Sequence, residues 1–181
     1  MLIVGAGEVG YEKLFFILKS SPQAKITIVA KWVNPEIESL LKQGTFKVKI
    51  IKKAFEPEDI GKHDLVIAAT NFKALNQKIR EAAKARGKLV NVADTPDLCD
   101  FYLGSIVTRG PLKVAISTNG QSPTFAKRFR QFLEAALPEE VDDLIFNLKL
   151  YRDQLSTDFE SKVKLLNQAT ASLVRENSPE A

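Results

Sequence analysis

The stretch LIVGAGEVG (residues 2–10) joins a short apolar run directly to the pattern Gly-x-Gly-x-x-Gly. Between a strand and a helix, Gly5 permits a tight turn, Gly7 lets the backbone approach a pyrophosphate, and Gly10 lets the helix lie close to the sheet. The free N–H groups and the dipole at the start of such a helix favour phosphate. The stretch therefore predicts a dinucleotide-binding fold, although the same glycines also suit a tight turn that binds nothing.

Beyond this loop, the first half of the chain alternates apolar strand patterns with helix patterns. The predicted strands are residues 1–4, 25–30, 46–51, 64–70 and 88–94. The predicted helices are residues 8–20, 34–44 and 73–87. In the first helix, the residues expected to face inward are Val9, Leu14, Phe15, Ile17 and Leu18. Because strands that alternate with helices pair in parallel, we predict an α/β fold over residues 1–102, a Rossmann-like doubly wound parallel sheet.

The pattern changes after residue 102. Two strand patterns, residues 103–110 and 112–118, are joined by a turn too short for a helical crossover, so they predict an antiparallel pair. With the helix predicted next, they form a small α+β segment over residues 103–137. Residues 138–181 predict a C-terminal helical segment. Its helices are expected at residues 139–155 and 157–176, and residues 177–181 are expected to fray.

Two helices carry capping signals at their first residues. Asn34 precedes Pro35, and Ser122 precedes Pro123. The oxygen of an Asn or Ser side chain accepts a hydrogen bond from a free backbone N–H group, and proline suits the first helical position. We therefore expect both helices to begin at their prolines.

Composition restricts the class of protein. The chain of 181 residues is 45% apolar and 27% charged, as in ordinary globular proteins. No apolar run is long enough to span a bilayer, and the early glycines interrupt any signal peptide. The single cysteine, Cys99, excludes an internal disulfide, so we expect a cytoplasmic protein without a membrane partner. The net charge of +4 favours anionic partners, but no basic stripe with interleaved aromatics indicates nucleic acid.

The predicted dinucleotide site lacks one residue that is common in such sites. An acidic residue usually follows the second strand and binds the ribose hydroxyls. Here that strand ends in IVAKW, which places Lys31 and Trp32 in the region. Lys31 is compatible with a 2′-phosphate, as in NADP, and equally with a solvated surface. Backbone groups of Lys31 and Trp32 are a further way to line the adenosine pocket.

Polar residues follow the last two strands of the predicted sheet. Thr70 and Asn71 end the fourth strand, and Asp94 ends the fifth. Ligands bind beyond the carboxyl ends of strands in doubly wound sheets, so Asp94 is the carboxylate most directly aimed at the crevice. It is the candidate general acid or base, and a role as a cap or turn residue has equal weight. Cys99 is expected to pack as a small residue.

The segment STNGQSP (residues 117–123) links a strand to the next helix and suits carboxylates or phosphate at the helix start. Its polar side chains include Ser117, Thr118, Asn119 and Ser122. The helix then presents the basic residues Lys127, Arg128 and Arg130. This cluster suits a ligand with many carboxylates, and a solvated helix face has equal weight.

Four segments of the chain, in their order and spacing, resemble one known family. They are LIVGAGEVGYEKL, AATNFKALNQKI, VNVADTPDLCDF and LKVAISTNGQSPTFAKRFR, within residues 1–150. They are similar to the siroheme synthase N-terminal family, whose members are precorrin-2 dehydrogenases and often also sirohydrochlorin ferrochelatases. The motifs NVADTP and AISTNGQSP are far more specific than the glycine loop.

The resemblance implies NAD-dependent oxidation of precorrin-2 to sirohydrochlorin and, in some members, insertion of ferrous iron in the same cavity. It implies a homodimer in which residues 103–137 interlock with the partner. It assigns both reactions to Asp94. The NAD contacts that it implies fall on Glu8, Val9, Lys31 and Trp32, beside the glycines, Thr70 and Asn71. The tetrapyrrole contacts then fall on Ser117, Thr118, Asn119, Ser122, Lys127 and Arg128.

The chain also departs from the family pattern. The usual Gly-Gly-Gly-x-Val-Ala followed by Arg-Lys is here Gly-Ala-Gly-Glu-Val-Gly followed by Tyr-Glu-Lys. Glu12 stands where the arginine is usual, which is expected to alter a local ion pair. Members carry a short segment before the first strand, so we expect the start of this chain to be trimmed or misassigned. No methyltransferase domain follows, which predicts a stand-alone enzyme.

Two further functions remain open from the sequence alone. One is a dehydrogenase without chelatase activity, since Asp94 serves either reaction. The other is a regulatory Rossmann module that binds NAD as a redox sensor, as in some potassium-channel regulators. Such modules normally carry the ribose-binding acid and lack a segment like STNGQSP.

Overall fold

A computed structural model describes residues 1–173 of the chain. Its first half contains the parallel strands β1 (Leu2–Val4), β2 (Ile26–Ala30), β3 (Val48–Lys52), β4 (Leu65–Ala68) and β5 (Leu89–Val92). They form one sheet in the order β3-β2-β1-β4-β5. The helices between them are α1 (Glu8–Ser20), α2 (Pro35–Lys42) and α3 (Lys73–Lys84). The predicted doubly wound parallel sheet is confirmed.

The two faces of the sheet bury separate apolar clusters. On one face, Ile3, Ile28 and Ile67 pack against α1 and α2. On the other face, Val4 and Val66 pack against α3. Because successive strand residues point to opposite faces, the short, wholly apolar strands β1 and β4 are buried on both sides.

One residue of α1 departs from the predicted burial. Leu14, Ile17 and Leu18 are buried and Val9 packs against the same cluster, as predicted. The prediction for Phe15 was wrong, because 36% of its surface is exposed. Its ring lies on the flank of the helix, with its centroid 5.4 Å from that of Phe16.

Both predicted caps are present. The Asn34 side chain accepts a hydrogen bond from the backbone N–H of Glu36 at 2.9 Å, and α2 begins at Pro35. The Ser122 side chain accepts one from the N–H of Phe125 at 3.2 Å. These bonds satisfy N–H groups that the first helical turn leaves free.

The second half begins with the antiparallel pair β6 (Ser105–Arg109) and β7 (Leu112–Ile116), in which Val107 lies opposite Val114. Helix α4 (Pro123–Ala136) packs on this pair through Ala126. Two more helices follow, α5 (Val141–Gln154) and α6 (Phe159–Ala169), with a short 3₁₀ turn at Ala171–Leu173. The predicted last helix therefore ends earlier than expected. The fraying predicted for residues 177–181 lies outside the described residues.

An ion-pair cluster joins the two halves. Lys19 on α1 and Arg130 on α4 both bind the Glu134 carboxylate, at 2.9 Å and 2.5 Å. Partial burial opposes ionisation of Glu134, but the hydrogen bonds from Lys19 and Arg130 outweigh it and lower the pKa. The division of the chain into domains at residues 1–102, 103–137 and 138–181 remains our proposal.

Within the described part of the chain, no helix is long and apolar enough to cross a membrane.

Candidate active site

The candidate site lies at the carboxyl edge of the sheet, where the strand order reverses. Strand β1 pairs with β2 on one side and with β4 on the other. Doubly wound sheets bind ligands at this switch point. The glycine loop follows β1, Thr70 and Asn71 follow β4, and Asp94 follows β5. The fold thus brings these predicted residues to one edge.

The three glycines of the loop have different roles. A Cβ on Gly5 would lie 2.3 Å from the Ala69 carbonyl oxygen, and Gly5 has a φ of 103° that other residues rarely adopt. A Cβ on Gly10 would lie 2.4 Å from the Gly5 carbonyl oxygen. Gly5 and Gly10 are therefore required by packing, and Gly10 serves contact with the loop more directly than contact with the sheet.

Gly7 instead faces open space. Apart from its two chain neighbours, no described residue has an atom within 4 Å of a Cβ built there. Gly7 is also the N-cap of α1 and offers no side chain to the free N–H groups of the first turn. The loop therefore leaves both the room and the donors that a pyrophosphate needs, and it fits a dinucleotide.

Asn34 connects the glycine loop to the residues after β2. Its side-chain Nδ2 donates to Glu8 Oε1 at 2.9 Å, and its backbone N–H donates to the Ala6 carbonyl oxygen at 2.8 Å. Asn34 is buried, whereas the neighbouring Lys31 and Trp32 are exposed. Asn34 thus joins the glycine loop to the turn after β2. The predicted cofactor residues of these two segments border the same gap, which lies between the loop and the end of β2.

Thr70 is held by a residue that the sequence analysis missed. Its hydroxyl donates to Asn76 Oδ1 at 2.6 Å, and Asn76 Nδ2 donates to the Thr70 carbonyl oxygen at 2.9 Å. Asn76 is buried on α3. A polar residue at an inward position of that helix was the sequence signal that could have identified it as a partner of Thr70. Asn71 is exposed at the mouth of the crevice.

Asp94 occupies a turn directly after β5. Its φ is 56°, in the left-handed region that Asp and Asn adopt more readily than most residues. The following 3₁₀ turn (Pro96–Leu98) has Thr95, not Asp94, at its N-cap position. The exposed Asp94 side chain is therefore a turn residue at the crevice and does not cap that helix.

The loop that carries Asp94 is fastened to β5, which is an edge strand of the sheet. The Cys99 thiol donates to the Val92 carbonyl oxygen and accepts from the Val92 N–H, both at 3.2 Å. The Asp100 carboxylate accepts from the Val90 N–H at 2.9 Å. Hydrogen bonds from Lys84 and then from Val90 lower the pKa of Asp100. Cys99 packs as predicted and also covers polar groups of the strand edge.

We predict that Cys99→Ala lowers the free energy of unfolding by about 1–3 kcal/mol, because the Val92 N–H loses its partner. Urea denaturation followed by circular dichroism measures this change. Cys99→Ser retains a donor and an acceptor and is expected to recover part of the loss. An alanine variant as stable as the wild type would show that the thiol contacts contribute nothing.

A cavity of ≈ 550 Å³ lies between α1 and the unit of β6, β7 and α4. Three of the predicted substrate residues line it, namely Ser117, Thr118 and Lys127. The wall opposite comes from α1, where Glu12 and Lys13 contribute. Sequence reasoning did not assign these two to the site, although it noted Glu12 as a departure from the family pattern.

The other predicted substrate residues do not line this cavity. Ser122 caps α4, and the exposed Arg128 donates to Gln131 Oε1 at 3.2 Å. Asn119 has a φ of 50°, and its N–H donates to Ser117 Oγ at 3.2 Å. These residues shape the turn and the helix start, so any contact between them and a substrate stays a prediction.

Three cationic side chains line the cavity, and they differ in whether a carboxylate pairs with them. Lys13 lies 3.6 Å from the Glu12 carboxylate, and Arg130 is paired with Glu134. Among the ion pairs of the described residues, none involves Lys127. Lys127 is therefore the cation best placed to meet an anionic ligand.

Asp94 is not part of this cavity wall. The connection between them is Tyr102, which lines the cavity and donates from its hydroxyl to the Pro96 carbonyl oxygen at 3.1 Å. The crevice with Asp94 and the cavity with Lys127 are therefore adjacent parts of one region. Within residues 1–173, no three His, Cys, Asp or Glu side chains are grouped so as to hold a metal ion.

Comparisons with known families match both halves of the chain. Residues 1–105 match a family described as putative NAD(P)-binding. Residues 109–136 match a second family, described as sirohaem biosynthesis protein central. The second match includes the STNGQSP segment.

Curated relatives of the chain are siroheme synthases. The protein of Zymomonas mobilis subsp. mobilis is 42% identical over 141 residues, which cover 78% of this chain and 29% of the relative. The protein of Vesicomyosocius okutanii is 37% identical over 158 residues, which cover 87% and 33%. The protein of Psychromonas ingrahamii is 44% identical over 138 residues, which cover 76% and 28%. The chain thus spans about a third of the length of these relatives.

A solved structure is also similar to the chain over nearly its whole length. It is named SirC, precorrin-2 dehydrogenase, and is 25% identical with a TM-score of 0.75. The similarity covers 98% of this chain and 87% of that protein.

Proposed function

We propose, from the premise that the chain belongs to the siroheme synthase N-terminal family, that it oxidises precorrin-2 to sirohydrochlorin with NAD. The observation that carries this proposal is the placement of the glycine loop and Asp94 on one edge of the sheet, beside a cavity lined by Lys127. A cytoplasmic location, where NAD is available, suits this reaction.

The cofactor would bind at the switch point of the sheet. The backbone of Gly7 and the first turn of α1 would hold the pyrophosphate, because that turn has free N–H groups and open space. Lys31 and Trp32 border the region expected for the adenosine. Thr70, held by Asn76, fixes the wall between the loop and Asp94.

The reaction removes one hydride and one proton from precorrin-2. The bound cofactor supplies the hydride acceptor, and the protein supplies positioning and a proton acceptor. Asp94 is the carboxylate at this edge, and its turn is fastened to β5 by Cys99 and Asp100. We assign to the Asp94 carboxylate the removal of the proton from the macrocycle.

The cavity suits the polycarboxylate substrate. Lys127 and the hydroxyls of Ser117 and Thr118 line it. A cation and hydroxyl donors favour the binding of carboxylates, and their field raises the local concentration of an anion. We propose that these residues orient the macrocycle relative to Asp94.

Insertion of ferrous iron into sirohydrochlorin is a second proposal, with iron as a substrate. It rests on the same observation, because the exposed Asp94 carboxylate can assist deprotonation of a pyrrole nitrogen. A dehydrogenase without this activity remains the alternative. A regulatory NAD module is disfavoured, because the match over residues 109–136 includes the STNGQSP segment.

The proposed function is tested by anaerobic incubation of the purified chain with precorrin-2 and NAD, followed by the absorbance of sirohydrochlorin. Turnover is expected with wild-type protein, and a complete lack of turnover would exclude the dehydrogenase. Ferrous ion added to sirohydrochlorin in a separate assay tests chelation. An unchanged sirohydrochlorin spectrum there would support the dehydrogenase-only alternative.

We further propose that the chain works as a homodimer through α4 and α5. Phe125, Phe129 and Phe132 form an exposed ladder on α4, with ring centroids 5.7 Å and 6.0 Å apart. On α5, Phe146 and Leu150 are also exposed. An exposed row of aromatic side chains such as the α4 ladder usually marks a protein interface. A second copy is the occupant that the family resemblance implies.

The double variant Phe129→Asp, Phe132→Asp is expected to raise the dimer dissociation constant by at least about a hundredfold, since buried aromatics dominate interface energies. Analytical ultracentrifugation measures this change. Phe72→Asp, at an exposed aromatic on the Rossmann half, is the matched control and is expected to stay dimeric. A monomeric wild type, or a double variant that remains dimeric, would contradict the interface.

A further inference from the structure

We propose that Tyr102 positions the substrate against Asp94, with its ring on the macrocycle and its hydroxyl on the turn that carries Asp94. This role deepens the proposed function and rests on it, because it requires a tetrapyrrole in the cavity and a proton acceptor at Asp94. Tyr102 follows directly after the segment VNVADTPDLCDF, and the sequence analysis assigned it no role.

The backbone on both sides of Tyr102 is held by the Rossmann half. The Phe101 carbonyl oxygen accepts a hydrogen bond at 2.8 Å from Nδ2 of Asn91, which is buried on β5. The side chains of Phe101 and Leu103 pack against the apolar cluster under α1 and α2. Between these two held neighbours, Tyr102 is 59% exposed and lines the cavity. Its ring therefore projects from a fixed backbone into the cavity wall.

The ring of Tyr102 is available to stack on a ligand. The cavity wall has a second aromatic residue, Phe16, but the Arg130 guanidinium lies 5.8 Å from the centroid of its ring. Within residues 1–173, no aromatic ring or cation pairs with the ring of Tyr102. A tetrapyrrole is a broad apolar ring system with carboxylates at its rim. Its face therefore suits the ring of Tyr102, and its rim suits a cation such as Lys127.

The hydroxyl of Tyr102 joins the cavity wall to the turn that carries Asp94. It donates to the carbonyl oxygen of Pro96, two residues after Asp94, at 3.1 Å. Among the hydrogen bonds of the described residues, no other joins a residue of the cavity wall to residues 93–98. Because water competes for an exposed hydrogen bond, this one adds little to the stability of the fold. Its main effect is expected on the position of the turn.

The position of the Asp94 carboxylate depends on this turn. The side chain of Asp94 is exposed, and within the described residues its carboxylate accepts no hydrogen bond. Cys99 holds the loop to β5 on one side, and the Tyr102 hydroxyl holds it to the cavity on the other. A displacement of about 1 Å in a reacting group costs about a hundredfold in rate. Loss of the hydroxyl is therefore expected to lower the rate of oxidation and not the affinity for the substrate.

Two substitutions separate the ring of Tyr102 from its hydroxyl. Tyr102→Phe keeps the ring and removes the bond to Pro96. We expect it to bind sirohydrochlorin within about twofold of the wild type, but to oxidise precorrin-2 about tenfold or more slowly in a single turnover. Tyr102→Leu removes the ring as well. It is expected to show the same loss of rate and to bind sirohydrochlorin about tenfold more weakly, because the aromatic contact is lost.

Sirohydrochlorin affinity is measured by titrating the full chain and following the absorbance of the macrocycle, and the single-turnover rate is measured with NAD in excess. Tyr151→Phe, on α5 and outside the cavity wall, is the matched control and is expected to keep both values. Because the Tyr102 hydroxyl holds a turn and transfers no proton, Tyr102→Phe is expected to keep the wild-type pH profile at its lower rate. Circular dichroism establishes that the variants are folded.

A wild-type rate in Tyr102→Phe would overturn the role of the hydroxyl, and wild-type affinity in Tyr102→Leu would overturn the role of the ring. Equal losses in Tyr102→Phe and Tyr151→Phe, or a displaced pH profile in Tyr102→Phe, would also contradict the positioning role. A wild-type chain that binds sirohydrochlorin but forms none from precorrin-2 would instead contradict the proposed function. The affinity of Tyr102→Leu would then still test the contact between the ring and the macrocycle.

Discussion

Asp94→Asn is expected to lower the rate of NAD-dependent precorrin-2 oxidation by about 10²–10⁴-fold, the usual contribution of a general base. Asparagine has the same shape, but its amide cannot take the proton from the macrocycle. It also tolerates the left-handed φ of 56° at this position, so the turn is expected to keep its geometry. The loss would therefore come from chemistry and not from folding.

The measurement is the single-turnover rate of sirohydrochlorin formation with cofactor in excess. Asp97→Asn, in the same loop, is the matched control and is expected to keep the wild-type rate. If Asp94→Asn retained the wild-type rate, Asp94 would not be the proton acceptor. The same pair of variants, assayed with ferrous ion and sirohydrochlorin, tests whether Asp94 also serves chelation.

The second large effect is expected at the glycine loop, where two alanine substitutions should act differently. In Gly7→Ala, the new methyl group enters open space, so the fold is kept. That space is where the backbone would approach the pyrophosphate, so NAD affinity is expected to fall by about a hundredfold. In Gly5→Ala, the methyl group would lie 2.3 Å from the Ala69 carbonyl oxygen at an unfavourable φ, so the fold itself is expected to lose about 3 kcal/mol or more.

Urea denaturation and NAD titration, performed on both variants, separate these effects. Gly7→Ala should unfold close to the wild-type midpoint and bind poorly, whereas Gly5→Ala should unfold at a clearly lower midpoint. Wild-type affinity in Gly7→Ala would show that the pyrophosphate does not lie over this residue. Wild-type stability in Gly5→Ala would show that the loop can rearrange.

The elements of this fold are predictable because their signals are local. The apolar strand runs and the capping pairs Asn34-Pro35 and Ser122-Pro123 specify structure within a few residues. The error at Phe15 has a physical cause. Helical spacing allows a residue near the edge of the apolar stripe to pack or to be exposed, and here its ring contacts Tyr11 and Phe16 on the flank.

The parts of the site that sequence reasoning missed are contacts between distant residues. Glu8 meets Asn34, and Cys99 fastens the strand end before Asp94. No local pattern specifies such pairs, because they depend on how the strands and loops pack. The sequence also could not show which of the predicted substrate residues line the cavity. Neighbouring residues of a helix point in different directions, so Lys127 of α4 lies in the cavity wall and Arg128 lies outside it.

The stoichiometry of the reaction tests most directly whether this chain is an NAD-dependent precorrin-2 dehydrogenase. Under anaerobic conditions, the full chain is given a limiting amount of precorrin-2 and an excess of NAD, and NADH and sirohydrochlorin are measured together. The two products are expected to appear in equal amounts and at the same rate, because each hydride that leaves precorrin-2 reduces one NAD. Sirohydrochlorin without NADH, or no product of either kind, would contradict this activity.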